Sequence, residues 1–289
     1  MDYVLCIPIG GFNDQLSRIE TAISYCKRNN RILLVYTINS TYKVNIGNYF
    51  NIPYDNVISD SKKIREILYD KEYSIYPKSL CGKINDVLDK KINFRYIQNK
   101  NYTYDGITLD LNSDVSDLNS DVSENVIIYV AFGGCNIYNF FRNLVINVSV
   151  KKICIERYDK LKKPYIAIQI RNTDRFCDYE LLYENKKDEI NSAIEIYIAT
   201  DDKNALNFFI DKGLPVKNFT TYPNEDKYNN LHNSSVDPHT KFIDVLSDIY
   251  ICGMAEKLIS SSLGGFIRLI KDCNENKSDL AKQFEIIEE

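Results

Sequence analysis

The chain has 289 residues, 44% of them hydrophobic and 26% charged, and a formal net charge of −4. No apolar run approaches the ~20 residues that span a bilayer, and the acidic balance gives no overall pull toward nucleic acid or anionic lipid. A membrane span is therefore excluded, no nucleic-acid partner is expected, and the length suits one large domain or two ordinary ones.

The opening residues, MDYVLCIPIGG, carry an acid where a secretory leader carries a base. They read as a first strand over Val4–Ile9, and the protein reads as cytoplasmic. Gly10-Gly11-Phe12-Asn13-Asp14 follows, then a helix in which Leu16, Ile19, Ile23 and Cys26 recur near the helical period. Arg31–Tyr36 is a second short apolar strand. Strand, loop, helix and strand make the start of a βαβ unit with a parallel sheet. Helices are expected around Ser61–Tyr69 and Ile84–Lys91. Leu111–Asp117 is then repeated almost unchanged as Leu118–Glu124. Two heptads are too few for a coiled coil and these are too polar to bury, so 111–124 reads as an expanded surface loop. Asn125–Ala131 returns to a buried strand that ends at Gly133-Gly134.

From about residue 150 the pattern restarts. Lys151–Leu161 reads as a helix broken by Pro164, Tyr165–Ile170 as a strand, and Ile194–Ala199 as the next strand. Lys203–Lys212 is a helix ended by Gly213, and Thr240–Met254 a long helix with Phe242, Val245, Leu246, Ile249 and Cys252 on one face. Lys257–Ser260 is a final strand before a helix beginning near Phe266. The expected class is α/β, with two Rossmann-like domains, 1–150 and 151–289, and a cleft where the carboxyl ends of their strands meet. Eight cysteines are scattered without a CxxC pair, and both histidines, His232 and His239, fall in one polar stretch. Zinc and redox motifs need closer spacing, so no metal site is expected and most cysteines read as reduced, buried hydrophobes.

Four loops at strand ends carry polar chemistry. The Gly10-Gly11 loop with Asn13 and Asp14 opens the first helix, where N–H groups can meet an anion or a sugar; a tight turn needing glycine is the plainer reading. Arg171 ends a buried strand and needs an anion, which is either a phosphate or a structural acid such as Asp174. Asp201 and Asp202 end the next strand and either cap the following helix or receive donors from a ribose or base. Ser260-Ser261-Ser262-Leu263-Gly264-Gly265 follows the last strand and offers hydroxyls and N–H groups to a phosphate.

Together, GGFNDQL, IQIRNTDR, IYIATDD and the Asp248–Ser262 segment with Arg268 resemble, in order and rough spacing, the GT-B fucosyltransferase superfamily. That superfamily includes core α-1,6-fucosyltransferases, nodulation-factor fucosyltransferases and protein O-fucosyltransferases. The resemblance runs over residues 4–270 and is strongest in the second half; 37–130, in the half that chooses the acceptor, matches nothing in it. It implies a GT-B fold and a nucleotide-sugar donor, with GDP-fucose first, and a glycan acceptor. By position Arg171 would hold the β-phosphate, Asp248 the nucleobase edge, and Ser260 to Ser262 the phosphates. The family's histidine two residues before the arginine is Gln169 here, which weakens the case for guanine and keeps a UDP sugar such as UDP-xylose as the alternative donor.

No Asp-x-Asp triplet occurs, so the expected reaction is metal-independent and needs no cofactor. Arg171 and the Ser260–Gly265 turn would stabilise the leaving diphosphate. Inverting transfer needs a carboxylate base, for which Asp14 is preferred and Asp178 is the other candidate. Competing classes are a nicotinamide oxidoreductase, against which the absence of GxGxxG argues, and a non-catalytic nucleotide or sugar binder.

Overall fold

The computed structural model describes residues 2–286, except 93, 98–100, 105, 106, 109–122, 175, 226, 227 and 229. Most of the duplicated stretch, 111–122, thus lies outside the described residues. The chain divides into two compact units, Met1–Val145 and Ile146–Glu289, each built on its own sheet. Among the described residues no helix is long and apolar enough to cross a membrane.

In the first unit β1 (Tyr3–Ile9) leads through α1 (Phe12–Asn29) to β2 (Ile32–Val35), then β3 (Val57–Ile58), α2 (Ser61–Leu68), β4 (Ile75–Tyr76), α3 (Ile84–Leu88) and β5 (Val126–Phe132). The central strand is apolar along its length because both of its faces are covered, as parallel sheets require; Val4, Leu5 and Cys6 are fully buried. It pairs in parallel with β2, Leu5 opposite Leu34, and with β5, Leu5 opposite Ile128. β3 extends the β2 edge in parallel. β4 pairs in parallel with the start of β5, while the antiparallel strand Asn101–Tyr104 meets its far end. One face packs Leu5, Ile7, Leu34 and Ile128 against Ile64 and Leu68 of α2 and Val87 and Leu88 of α3. Truncating one of these leucines to alanine would cost about 2–5 kcal/mol. α1 stops at Asn30, whose left-handed backbone (φ 49) turns its N–H back to Cys26 O.

In the second unit α4 (Val148–Asp159) precedes β6 (Ile166–Ile170), α5 (Tyr179–Asn191), β7 (Ile196–Thr200), α6 (Lys203–Asp211), β8 (Val216–Lys217), α7 (Pro238–Met254), β9 (Lys257–Ile259), α8 (Gly265–Glu275) and α9 (Lys277–Phe284). The sheet runs β8-β7-β6-β9, all parallel. α7 starts two residues before the expected Thr240, because Pro238 suits the first helical position and Asp237 accepts the Thr240 N–H at 2.8 Å. Its carboxyl end is closed from outside: the Asn274 side-chain amide donates to the carbonyls of Cys252, Gly253 and Ala255 at 3.2, 3.0 and 2.9 Å. Leu280 of α9 packs so close to Gly253 that a β-carbon there would stand 2.3 Å from it.

Each unit lays its early strands outward on one side of its first strand and then crosses to the other side. The reversal falls between β1 and β5 in the first unit and between β6 and β9 in the second. Ligands of open α/β sheets bind outside the carboxyl ends of the strands at such reversals.

Candidate functional site

At the reversal of the second unit, Arg171 follows β6 and Ser260, Ser261 and Ser262 follow β9. The two strand ends are tied together. The Arg171 backbone N–H donates to Ser262 Oγ at 2.9 Å, and the Ser260 hydroxyl is shared between Gln169 O (2.7 Å) and Gln169 Oε1 (3.0 Å). Ser262 N–H returns to Ser260 Oγ at 3.1 Å, and Ser261 Oγ lies 3.1 Å from the Cys177 thiol. All three serine hydroxyls are therefore occupied within the protein. Ser261, Leu263 and Gly264 are exposed, and Gly264 caps α8 with a positive φ of 127°.

The Arg171 guanidinium is gripped by Asp174 with two prongs, Nε to Oδ1 at 2.7 Å and Nη2 to Oδ2. Both side chains stay about one-third exposed, at 28% and 34%, and the ion pair holds the Asp174 carboxyl below its usual range. The remaining nitrogen, Nη1, lies against Gly264: a β-carbon on that glycine would stand 3.7 Å from it. A planar cation thus sits beside the amino end of α8, the combination that suits an anion.

The Arg171 loop is shaped from the neighbouring strand. Asp201, at the end of β7, accepts the Asn172 N–H at 2.8 Å and the Thr173 hydroxyl at 2.7 Å, and burial pushes its carboxyl up. Both of its oxygens are thus taken by the loop, where the sequence pointed to a ribose, base or helix cap. Asp202 caps α6, accepting from Asn204 N–H at 2.9 Å, and its other oxygen receives the Asn172 side-chain amide at 2.7 Å. Asn172 Oδ1 in turn accepts the Cys177 N–H at 2.9 Å, and the Tyr228 hydroxyl donates to Asp201 O at 2.7 Å. Asn172 and Tyr228 escaped the sequence reading. Asn172 adjoins Arg171 and could have been suspected from its place in the motif, whereas Tyr228 lies in a polar stretch with no pattern.

Asp248 on α7 is 9% exposed, and its Oδ1 accepts the Tyr197 hydroxyl at 2.5 Å. Burial, with Asp244 nearby, pushes its carboxyl up to about 7. Arg157 pairs instead with Asp244 at 2.8 Å. His232 is drawn toward the same loop. Its burial and the Arg171 charge bring the imidazole down to about 4, while Lys241 Nζ holds the turn by donating to His232 O and Ser234 O, each at 3.0 Å. Asp178 caps α5, accepting from Leu181 N–H at 2.9 Å, and is exposed.

At the reversal of the first unit, glycines are demanded by packing. Gly10 has φ 101° and is enclosed by Asp14 and Phe132, each 2.8 Å from where a β-carbon would be. Gly11 has an ordinary φ of −69° and room for a side chain, so the tight-turn reading holds for Gly10 alone. Asp14 Oδ2 accepts the Gly11 N–H at 3.2 Å, and Gln15 Nε2 donates to Gly10 O at 3.0 Å. From the other strand end, Gly134 approaches so closely that a β-carbon would stand 2.4 Å from Asn13 Nδ2 and 2.9 Å from Asp14 Oδ1. Asn13 Nδ2 donates to Cys135 O at 3.3 Å.

No family model matches the chain, and no curated protein matches it in sequence. Solved structures do match it. The fucosyltransferase NodZ from Bradyrhizobium superposes with a TM-score of 0.60 at 18% identity, over 93% of this chain and 92% of that one. NodZ α-1,6-fucosyltransferase co-crystallised with GDP gives 0.59 at 17%, over 93% and 91%. POFUT1 in complex with GDP-fucose gives 0.57 at 15%, over 94% and 93%. Shared architecture over nearly the whole of both chains, at identities this low, identifies the fold: this protein has the GT-B fold of these fucosyltransferase structures.

Proposed function

We propose that the protein is an inverting, metal-independent glycosyltransferase that moves a sugar, foremost fucose from GDP-fucose, to a hydroxyl of a glycan. The observation that carries this reading is the pairing of the Arg171 guanidinium with the Gly264-Gly265 start of α8 at the strand reversal of the second unit. That pairing is suited to the diphosphate of a nucleotide sugar, and similar structures were obtained with GDP and GDP-fucose.

In the reaction the acceptor oxygen attacks the anomeric carbon and the carbon–oxygen bond to the β-phosphate breaks. Negative charge then grows on the departing diphosphate, where Arg171 and the turn N–H groups oppose it in a partly water-excluded site. Ser260 and Ser262 serve by fixing that turn to β6 rather than by offering free hydroxyls. Asp201 is a positioning residue that acts through Asn172 and Thr173. Asp248 takes the nucleobase edge on its carboxyl group, beside Tyr197. The acceptor proton passes to Asp14, whose carboxylate is fixed by Gly11 and by the close approach of Gly134. Asp178, whose carboxylate caps α5, is the other candidate base.

A thermal-shift panel of GDP, UDP, CDP and ADP tests the donor site, since a ligand at 100 times its Kd adds ~2.7 kcal/mol. GDP is expected to give the largest shift, and GDP-fucose to be slowly hydrolysed without an acceptor. A larger UDP shift would follow from Gln169 standing where the resembling enzymes have histidine, and would move the donor to a UDP sugar such as UDP-xylose. Binding without hydrolysis or transfer would reduce the protein to a nucleotide-sugar binder, and no shift with any nucleotide would reject the site.

A further inference from the structure

A second group of polar side chains, in the first unit, takes no part in the proposed transfer. Ser17, one turn along α1, is fully buried, and its hydroxyl oxygen accepts from two donors: the Cys135 backbone N–H at 3.2 Å and Arg18 Nη2 at 3.0 Å. A serine oxygen has two lone pairs, so both are used. Its single proton is left for the remaining neighbour, the Cys135 sulfur, at 3.2 Å. The sulfur is thus the acceptor of the Ser17 hydroxyl, a contact that strengthens as negative charge develops on it. Cys81, the other exposed cysteine, has the opposite arrangement: its thiol donates to Ile75 O at 3.4 Å, and a carbonyl can only accept, so no donor supports charge on that sulfur there. The other six cysteines are buried.

Arg18 supplies the independent reason for an anion here. It is 6% exposed, and among the described residues its Nε has no hydrogen-bond partner while Nη1 meets the Tyr129 hydroxyl at 3.4 Å. Among the described residues no carboxylate lies within ion-pair distance of it. A guanidinium taken out of water without a counter-charge is costly; the Cys6 thiol also feels its charge, but burial strongly opposes ionisation there, whereas the exposed Cys135 sulfur is one hydroxyl away. Thiolates beside arginine are the reactive form of cysteine.

We propose that Cys135 is a nucleophilic thiol and a site of reversible covalent modification by small disulfides, made reactive by Arg18 acting through the Ser17 hydroxyl. In the exchange the Cys135 sulfur gives up its proton to solvent and attacks one sulfur of the disulfide. A new S–S bond forms, the old one breaks, and the second sulfur leaves as a thiolate. The adduct sits next to Gly134 and on the residue whose carbonyl holds Asn13, so it bears directly on the Gly10–Asp14 loop. This inference does not rest on the transferase reading.

The test uses the folded full-length protein and 5,5′-dithiobis(2-nitrobenzoate) at pH 7, following the released thiolate by absorbance and the labelled residue by mass spectrometry. Cys135 should take the first equivalent, about tenfold or more faster than Cys81, as expected for a thiolate favoured by a neighbouring cation. Ser17→Ala and Arg18→Gln should each slow Cys135 by about tenfold while leaving Cys81 unchanged. The Cys81 rate and the silence of the six buried cysteines report whether a variant is still folded; should Arg18→Gln unfold, Ser17→Ala decides. Equal rates at Cys135 and Cys81 in the unaltered protein, or an unchanged Cys135 rate in folded Ser17→Ala, would overturn the proposal.

Discussion

The backbone N–H of Arg171 and the side-chain hydroxyl of Ser262 meet at 2.9 Å, tying the loop after β6 to the loop after β9 across the reversal of the sheet. A residue expected to meet a phosphate through its side chain is therefore positioned through its main chain by one of the serines expected to do the same. Arg171→Ala should abolish measurable GDP binding by calorimetry while leaving the far-ultraviolet spectrum intact. Arg171→Lys should fail nearly as badly, because a point charge does not replace a planar fork. Ser262→Ala leaves a part-buried N–H unpaired, a cost of about 1 kcal/mol, and should weaken both stability and binding. Undiminished GDP binding in Arg171→Ala would remove the donor site from this loop.

The two candidate bases separate by kinetics. Asp14→Asn keeps an acceptor oxygen for the Gly11 N–H but removes basicity, so kcat should fall by about 10²–10⁴-fold with donor affinity within a few-fold. Asp178→Ala removes the cap of α5 and should cost about 1 kcal/mol in chemical denaturation, with little change in kcat. A reversed order of kinetic effects would transfer the role of base to Asp178.

Chelation addresses the role of metal. Transfer should persist in excess EDTA, because Arg171 and the α8 amino end supply the positive charge that a divalent cation would otherwise bring to the diphosphate. Activity lost on chelation and restored by Mn²⁺ or Mg²⁺ would refute a metal-free mechanism.

The buried Asp248 and the half-buried His232 give opposing slopes of stability with pH. Asp248 keeps its proton to about pH 7 in the folded chain, against an ordinary value of 3.8. The folded state therefore holds the extra proton between these values, and stability falls as pH rises through that window. His232, lowered to about 4 from 6.5, works the other way: the unfolded chain holds the extra proton, so stability rises with pH up to 6.5 and is lost as pH falls toward 4. In Asp248→Asn, the melting temperature should climb to about pH 6.5 and then level off. In His232→Asn, it should decline from about pH 4 to 7. Profiles of the same shape in all three proteins would contradict both assignments.

The strands β1, β5, β6 and β7 were legible because they are short apolar runs followed by glycine or polar loops; the two-residue strands β3, β4 and β8 and the sheet order were not. α5 was not. Leu181 is exposed while Leu182 and Tyr183 are buried, and the surrounding Glu and Lys residues blur any stripe, so the helix is marked only by its Asp178 cap. The antiparallel pair Arg95–Ile97 with Asn101–Tyr104 lay within 37–130, which matched nothing in the resembling superfamily. The Arg171–Asp174 pair was legible as the structural alternative, because a strand-end arginine needs an anion. The fates of Asp201 and Ser262 were not legible, since each is decided by a loop far away in the chain that only the sheet order brings near. The Ser17–Cys135 contact spans 118 positions and leaves no local trace for the same reason.

The Asn274 amide that closes the end of α7 has a consequence for engineering. It fixes where β9 begins, and the Arg171–Ser262 bond fixes where the following turn lands. Just past these two fasteners the exposed residues Leu263 and Gly264 form a segment that can be exchanged provided a glycine keeps the positive φ of 127° at 264. Grafting other short turns there would recast what the amino end of α8 greets without unseating the sheet. A change at Asn274, by contrast, would let the whole turn wander although that residue never faces it.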